Sequence, residues 1–129
     1  MIRQCTVDDI EWIMHIAKTK YDDVTNLDGF REWALKALVN PNCLTLRTDD
    51  SIMVTILVTH IHNLVTEATA RHYAGKAREI VRMFQISIQW AKENGAKKYH
   101  FGSSTKHKVN KLAKILGAGV ESTSYSMEI

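Results

Sequence analysis

The sequence predicts an α/β (α+β) domain with element order β-α-α-β-β-β-α-β-α-β. Three observations carry this reading. Short runs rich in β-branched residues, broken by turn residues, lie between Cys43 and Arg71. Stretches with apolar residues at helical spacing lie before and after that block. At Tyr73-Ala74-Gly75-Lys76 the periodicity changes from 2 to 3.6, as expected where a strand turns tightly into a long helix.

Taken in order, Ile2 to Cys5 reads as a short strand. Thr6 is the expected N-cap of a first helix, with Asp8 and Asp9 in the first turn, where the helix dipole favours negative charge. Val7, Ile10, Ile13, Met14 and Ala17 give that helix an apolar face as far as Lys20. Asp22 to Asn26 is a polar break, and Asp28 can cap a second helix with Phe30, Trp33, Ala34, Ala37 and Leu38 on its apolar side. Pro41 ends it, because proline cannot continue the hydrogen-bond ladder. Strands are expected over Cys43 to Thr48, Ser51 to His62 and Leu64 to Arg71, with Asp49-Asp50 and Asn63 at the turns. A helix from Lys76 to Asn94 would bury Ala77, Val81, Phe84, Ile88 and Ala91, and Gly95 would close it. Lys98 to Gly102 reads as a strand. Ser104 or Thr105 caps a last helix ending at Leu116-Gly117, and Val120 to Ile129 alternates as a final strand.

The 129 residues fit one domain, residues 1–129, and 45% hydrophobic with 24% charged residues is ordinary for a folded protein. Two cysteines make no disulfide framework. No apolar run approaches the roughly 18 residues of a membrane span, so the expected location is cytoplasmic, without membrane partners. Charge is unevenly placed. Residues 1–70 carry 6 Lys+Arg against 10 Asp+Glu, whereas residues 71–114 carry 11 against 2. Such a basic block is expected to face an anionic partner.

The strand–turn–helix at Arg71–Glu79 is the natural place for that partner. A helix N-terminus leaves backbone N–H groups unpaired and carries partial positive charge, and glycine lets the backbone approach a ligand closely. Gly75, Lys76, Ala77 and Arg78 combine these features, with Arg71 and Arg82 nearby. The expectation requires amides at the helix entrance that are not capped internally.

Over nearly its whole length the chain resembles the GNAT N-acetyltransferase superfamily. The resemblance rests on Ile2-Arg3-Gln4-Cys5-Thr6-Val7-Asp8-Asp9 at the start and Tyr73-Ala74-Gly75-Lys76-Ala77 at the loop. Trp90-Ala91-Lys92-Glu93-Asn94-Gly95-Ala96 at the end of the long helix and Leu116-Gly117-Ala118 complete it. It implies a mixed, mainly antiparallel sheet flanked by helices, and acetyl-CoA as co-substrate with an amine acceptor. The pantetheine arm would lie along Ala68, Thr69, Ala70 and Arg71, where that strand splays from Tyr99 to Gly102. The pyrophosphate would sit on Gly75, Lys76, Ala77 and Arg78, and Lys106 would contribute to cofactor binding. Glu67 is the candidate catalytic base.

The chain also departs from the family pattern. Ala74 replaces a leading Arg or Gln, Ala77 a middle Gly, and Glu79 a last small residue. Aligning on Tyr73 and aligning on Trp90 disagree by one residue. Ala113 stands where many members carry the Tyr that protonates the thiolate, and Lys106 where an Asn is common. Tyr125, Ser104 and His107 are substitutes to weigh for that acid. With its short length and altered loop the chain is most similar to small bacteriophage GNAT-like proteins. Two further readings are therefore a GNAT-fold binding or virion-associated protein without chemistry, and a nucleic-acid-binding module using the basic third. The latter would draw on Lys106, Lys108, Lys111 and Lys114, although few aromatics are interleaved for stacking on bases. His60 and His62 share a strand face and His72 could approach them, but without a third ligand at suitable spacing no metal site is expected. Cys5 reads as a buried structural thiol, and Trp12, Trp33 and Trp90 as core or rim.

Overall fold

The computed structural model describes residues 1–21, 24–102, 106–119 and 127. Its strands are β1 (Arg3–Gln4), β2 (Cys43–Arg47), β3 (Ile52–Thr59), β4 (Thr66–Ala74) and β5 (Tyr99–His100). Its helices are α1 (Ile10–Lys20), α2 (Leu27–Val39), α3 (Ala77–Glu93) and α4 (Lys106–Leu116), with a 3-10 turn at Val7–Asp9. The strands form one sheet in the order β1-β2-β3-β4-β5. Neighbours are antiparallel except β4 and β5, which run parallel. This is the mixed, mainly antiparallel sheet expected.

Alternation along the strands divides the core into two layers. Leu44, Leu46, Met53 and Ala70 point to one face and meet Ile80, Met83 and Phe84 of α3, with Leu112 and Leu116 of α4 at the margin. On the opposite face Ile52 packs with Ile13 and Ile16 of α1 and Ala34 of α2. Antiparallel pairing of Leu46 with Met53 and of Arg47 with Ile52 keeps both sets in phase.

Several expected boundaries move, each for a local reason. Asn26, not Asp28, caps α2: its side-chain oxygen accepts the Gly29 N–H at 2.9 Å. The strand expected to reach His62 stops at Thr59, because the chain turns where Leu64 N–H donates to the His60 carbonyl at 2.7 Å. Leu64 takes the left-handed φ of 57°, so the next strand starts at Thr66. That strand runs past Arg71 to Ala74. On α1 the buried face is Ile13, Ile16 and Ala17, leaving Val7 exposed. On α3 it is Ile80, Met83, Phe84, Ser87 and Ala91, so Ala77 is exposed. β5 is shorter than Lys98 to Gly102. Asp22, Asp23, Ser104, Thr105 and most of the expected strand at 120–129 lie outside the described residues.

The N-terminal segment is tied to the sheet through one carboxylate. Asp9 accepts hydrogen bonds from Arg3 at 2.6 and 3.0 Å, from Arg47 at 3.0 Å and from the Thr6 N–H at 2.8 Å. It thereby joins β1, β2 and the start of α1. The Arg47 guanidinium also lies 3.6 Å from the Trp12 ring centroid, a cation–π contact that gives this tryptophan more than a filling role. Hydrogen bonds from Arg3, followed by those from Thr6 and Arg47, hold the Asp9 carboxyl well below the ordinary range despite its burial. A carboxylate with a depressed folded-state pKa stabilises above its unfolded pKa and loses that contribution as pH falls. Asp9→Asn is therefore expected to lose roughly 2 kcal/mol in urea unfolding at neutral pH. The gap from wild type should shrink as the pH is taken below about 4.

Candidate active site

The centre of the sheet contains a discontinuity that shapes the site. Val54 pairs with His72 and Thr55 with Ala70, so Arg71 is an extra residue on β4. Such a bulge re-phases the strand. Ala70 and Tyr73 consequently both face α3, whereas His72 faces α1 and α2, where its ring lies 5.1 Å from Trp33 and 5.3 Å from Tyr21. On its other edge β4 pairs with β5 only at Ala68–Tyr99 and Thr69–His100. Beyond those pairs the two strands part. Tyr73 crosses the opening with its hydroxyl donating to the Gly102 carbonyl at 2.9 Å, its ring edge-on to Phe84. Of the four expected strand contacts, Ala68 and Thr69 are engaged by β5, while Ala70 and Arg71 border the opening.

β4 then enters α3 through Gly75, whose φ is +139°. A side chain here would stand 2.1 Å from Ser51 Oγ and 2.5 Å from Ser51 Cα, so glycine is required both by conformation and by close approach. Ser51 is fully buried; its Oγ accepts the Lys76 N–H at 3.0 Å and donates to Glu79 Oε1 at 2.7 Å. Thr48 Oγ1 donates to the same carboxylate oxygen at 3.1 Å. Glu79 therefore turns toward the β2–β3 turn, makes no ion pair with Arg78 or Arg82 among the described residues, and acts as a capping box with a serine interposed. The Lys76 amide is thus capped internally, contrary to the expectation of an open helix entrance. It drops out of the backbone contacts expected over Gly75 to Arg78, because its N–H is already satisfied by Ser51. The Lys76 side chain does not cap the helix, and the Ala77, Arg78 and Glu79 amides have no helix carbonyl to meet. Lys76 spends its charge on Asp50 at 2.9 Å, whereas Arg71 and Arg78 have no partner among the described residues.

Glu67 sits near the start of β4, on the face shared with α1 and α2, opposite Val58 of β3. Its Oε2 accepts from His60 Nε2 at 3.1 Å and from His100 Nε2 at 2.9 Å. These bonds, His60's first, hold its pKa below the usual carboxylate range. Sequence reasoning picked out Glu67 but not its neighbours. It grouped His60 with His62 and His72, whereas His72 is on the far part of the face and His100 comes from a different strand. Among the described residues no three His, Cys, Asp or Glu side chains are arranged to hold a metal ion.

The remaining candidates are dispersed. The Lys106 and His107 side chains, Ser104 and Tyr125 lie outside the described residues. Cys5 is buried, with its thiol pushed up to about 12 mainly by desolvation, and is an inert packing residue. Tyr99 is likewise pushed up to about 12 by burial and is held by Thr55 Oγ1 at 2.8 Å, which disfavours it as a proton donor.

No family profile and no curated protein matches the chain. Solved structures do. The aminoglycoside antibiotic 6'-N-acetyltransferase AAC(6')-Ih from Acinetobacter baumannii superposes with a TM-score of 0.78 at 12% identity, over 100% of this chain and 97% of that one. The ribosomal-protein-alanine N-acetyltransferase of Brucella melitensis biovar Abortus 2308 gives 0.74 at 11% identity, covering 100% and 98%. A transcriptional regulator from Bacillus halodurans C-125 gives 0.75 at 14% identity, covering 100% and 99%. The chain has the fold of the GNAT acetyltransferases.

The Gly75–Ser51 contact makes a sharp test of this geometry. Gly75→Ala is expected to cost about 3 kcal/mol or more in denaturant unfolding, since strain at positive φ adds to displaced backbone. Gly102→Ala, with open space around it, is expected to change stability by less than about 1 kcal/mol.

Proposed function

We propose that this protein is an acyl-CoA-dependent N-acyltransferase that uses acetyl-CoA to acylate an amine. The observation that carries the reading is the opening between β4 and β5 beside the entrance of α3. There, an unpaired strand edge at Ala70 and Arg71 leads to the Ala77–Glu79 amides and the unpartnered Arg71 and Arg78. A pantetheine arm is an amide-bearing chain suited to a strand edge, and a diphosphate suits a helix N-terminus. The fit extends to Glu79, because a carboxylate turned away by Ser51 and Thr48 leaves the amide side to the ligand. Lys106 and the basic block around it would add to the field felt by coenzyme A phosphates.

In this reading strand backbone polarises the thioester carbonyl, and the Glu67 cluster removes a proton from the acceptor ammonium. With Ala113 in α4 the departing thiolate takes its proton from water. The acceptors in the names of the two acetyltransferases, an aminoglycoside and a ribosomal-protein alanine, are reasonable first probes.

Acetyl-CoA at millimolar concentration is expected to raise the Tm of the wild type, and Arg78→Glu to weaken this binding at least about tenfold. Free-thiol release with kanamycin, spermidine and an alanyl peptide tests transfer. No Tm rise with acetyl-CoA or coenzyme A would point instead to a GNAT-fold binding protein. Salt-sensitive stabilisation by oligonucleotide would favour a nucleic-acid partner for the basic face. Tyr73→Phe should tighten acetyl-CoA binding by about two- to tenfold, because the bond to Gly102 no longer has to be given up.

A further inference from the structure

We infer that His100 Nδ1 is the atom that takes the proton from the acceptor ammonium, with Glu67 as the positioning residue that fixes the ring. This rests on the acyltransferase reading and names the proton acceptor within it.

The argument starts from the number of lone pairs. Ionised Glu67 is acceptor-only, and its Oε2 receives both His60 Nε2 and His100 Nε2. Two donors to one carboxylate oxygen use its two lone pairs and require hydrogen on both Nε2 atoms. In each neutral ring Nδ1 is then the basic nitrogen, and neither Nδ1 has a partner among the described residues. Glu67 itself is the poorer base, since two donated hydrogen bonds stabilise its ionised form. Histidine is the side chain whose ordinary titration suits proton exchange near neutrality.

Position separates the two rings. Both side chains are similarly exposed, 37% for His100 and 39% for His60, but His100 is opposite Thr69 in the last β4–β5 pair, where the strands begin to part. His60 follows β3, beyond the Thr59–Thr66 pair, and its ring is 5.8 Å from that of His62. His60 occupies the second lone pair and so holds Glu67 in place. The charged groups on this side are Glu67 from β4, His60 and His62 after β3, and Lys98, two residues before His100 on β5. The step balances. His100 Nδ1 takes one proton from R–NH3+, the amine nitrogen bonds to the thioester carbonyl carbon, and the C–S bond breaks. The nitrogen gives up a second proton, the thiolate becomes a thiol, and one proton reaches solvent.

The test uses the full chain with acetyl-CoA and whichever of kanamycin, spermidine or the alanyl peptide is acylated fastest. In the wild type kcat should rise tenfold per pH unit on the acid limb. His100→Asn should lower kcat at least about 100-fold and abolish that limb, with the acetyl-CoA Tm shift retained as proof of folding. Added imidazole should restore part of the rate to His100→Gly. Glu67→Gln should lower kcat about tenfold without raising the KM for acetyl-CoA. Nitrogen-15 NMR of wild-type protein should show both rings as Nε2–H tautomers. An acid limb that survives in His100→Asn but disappears in Glu67→Gln overturns the inference and makes Glu67 the base. Nδ1–H tautomers overturn it as well. Absence of any acetyl-CoA Tm shift in wild type overturns the acyltransferase reading itself and is recognised before any histidine variant is made.

Discussion

The approach of Ser51 to the Gly75–Lys76 peptide governs where the candidate site can exist. Ser51 immediately precedes β3 and Gly75 immediately follows β4, and they are adjacent because Ile52 pairs with Ala74. Only a residue without a side chain can pass the serine at this distance. Once there, the serine hydroxyl relays the Lys76 amide to Glu79, while Thr48 secures the same carboxylate. The start of α3 is thereby bolted to the β2–β3 turn. The direction of its next amides is then set by these part-buried hydrogen bonds.

That anchor and the bulge at Arg71 act together. The bulge lets Ala70 and Tyr73 face α3 while His72 turns into the ring cluster of Tyr21, Phe30 and Trp33. Without the extra residue, one register would expose either the aromatic contacts of His72 or those of Tyr73. The strand leaves β5 at the same stretch, so the opening, the change of phase and the helix entrance coincide over a few residues. Glu67 lies on the other side of this break, where β4 is still paired on both edges. The unpaired edge at Ala70 and Arg71 and the Glu67–His60–His100 cluster are thus borne by one strand.

The departures from the family's loop pattern acquire physical meaning in this frame. Glu79 in place of a small residue exchanges a bare helix start for a polar clamp to Ser51 and Thr48. The clamp removes one amide from any ligand but turns the negative charge away. Lys76 is neutralised by Asp50, which leaves Arg71 and Arg78 as the cations beside the helix entrance without a partner among the described residues. Low identity with structures of the same fold is consistent with such local substitutions, because the two-layer packing around the sheet tolerates change more readily than the geometry at Gly75 does.

Much of the architecture was legible in the residue pattern itself. The β-branched runs, the helical spacing around Trp33 and Phe84, and the glycines at 75 and 95 report short-range physics, in which neighbours in sequence decide the conformation. The charge division is read directly from the order of residues. What remained hidden depended on residues far apart in the chain. A bulge exists only relative to a partner strand, so the helix face on α3 and the destination of His72 were misjudged. Ser51 and Glu79 are 28 residues apart, and Glu67 and His100 are 33 apart. Nothing in either local pattern announces the other, because hydrogen bonds between distant side chains are created by strand register and helix packing. Tertiary structure alone turned a serine into a cap, a glutamate into a clamp, and His60 and His100 into partners of Glu67.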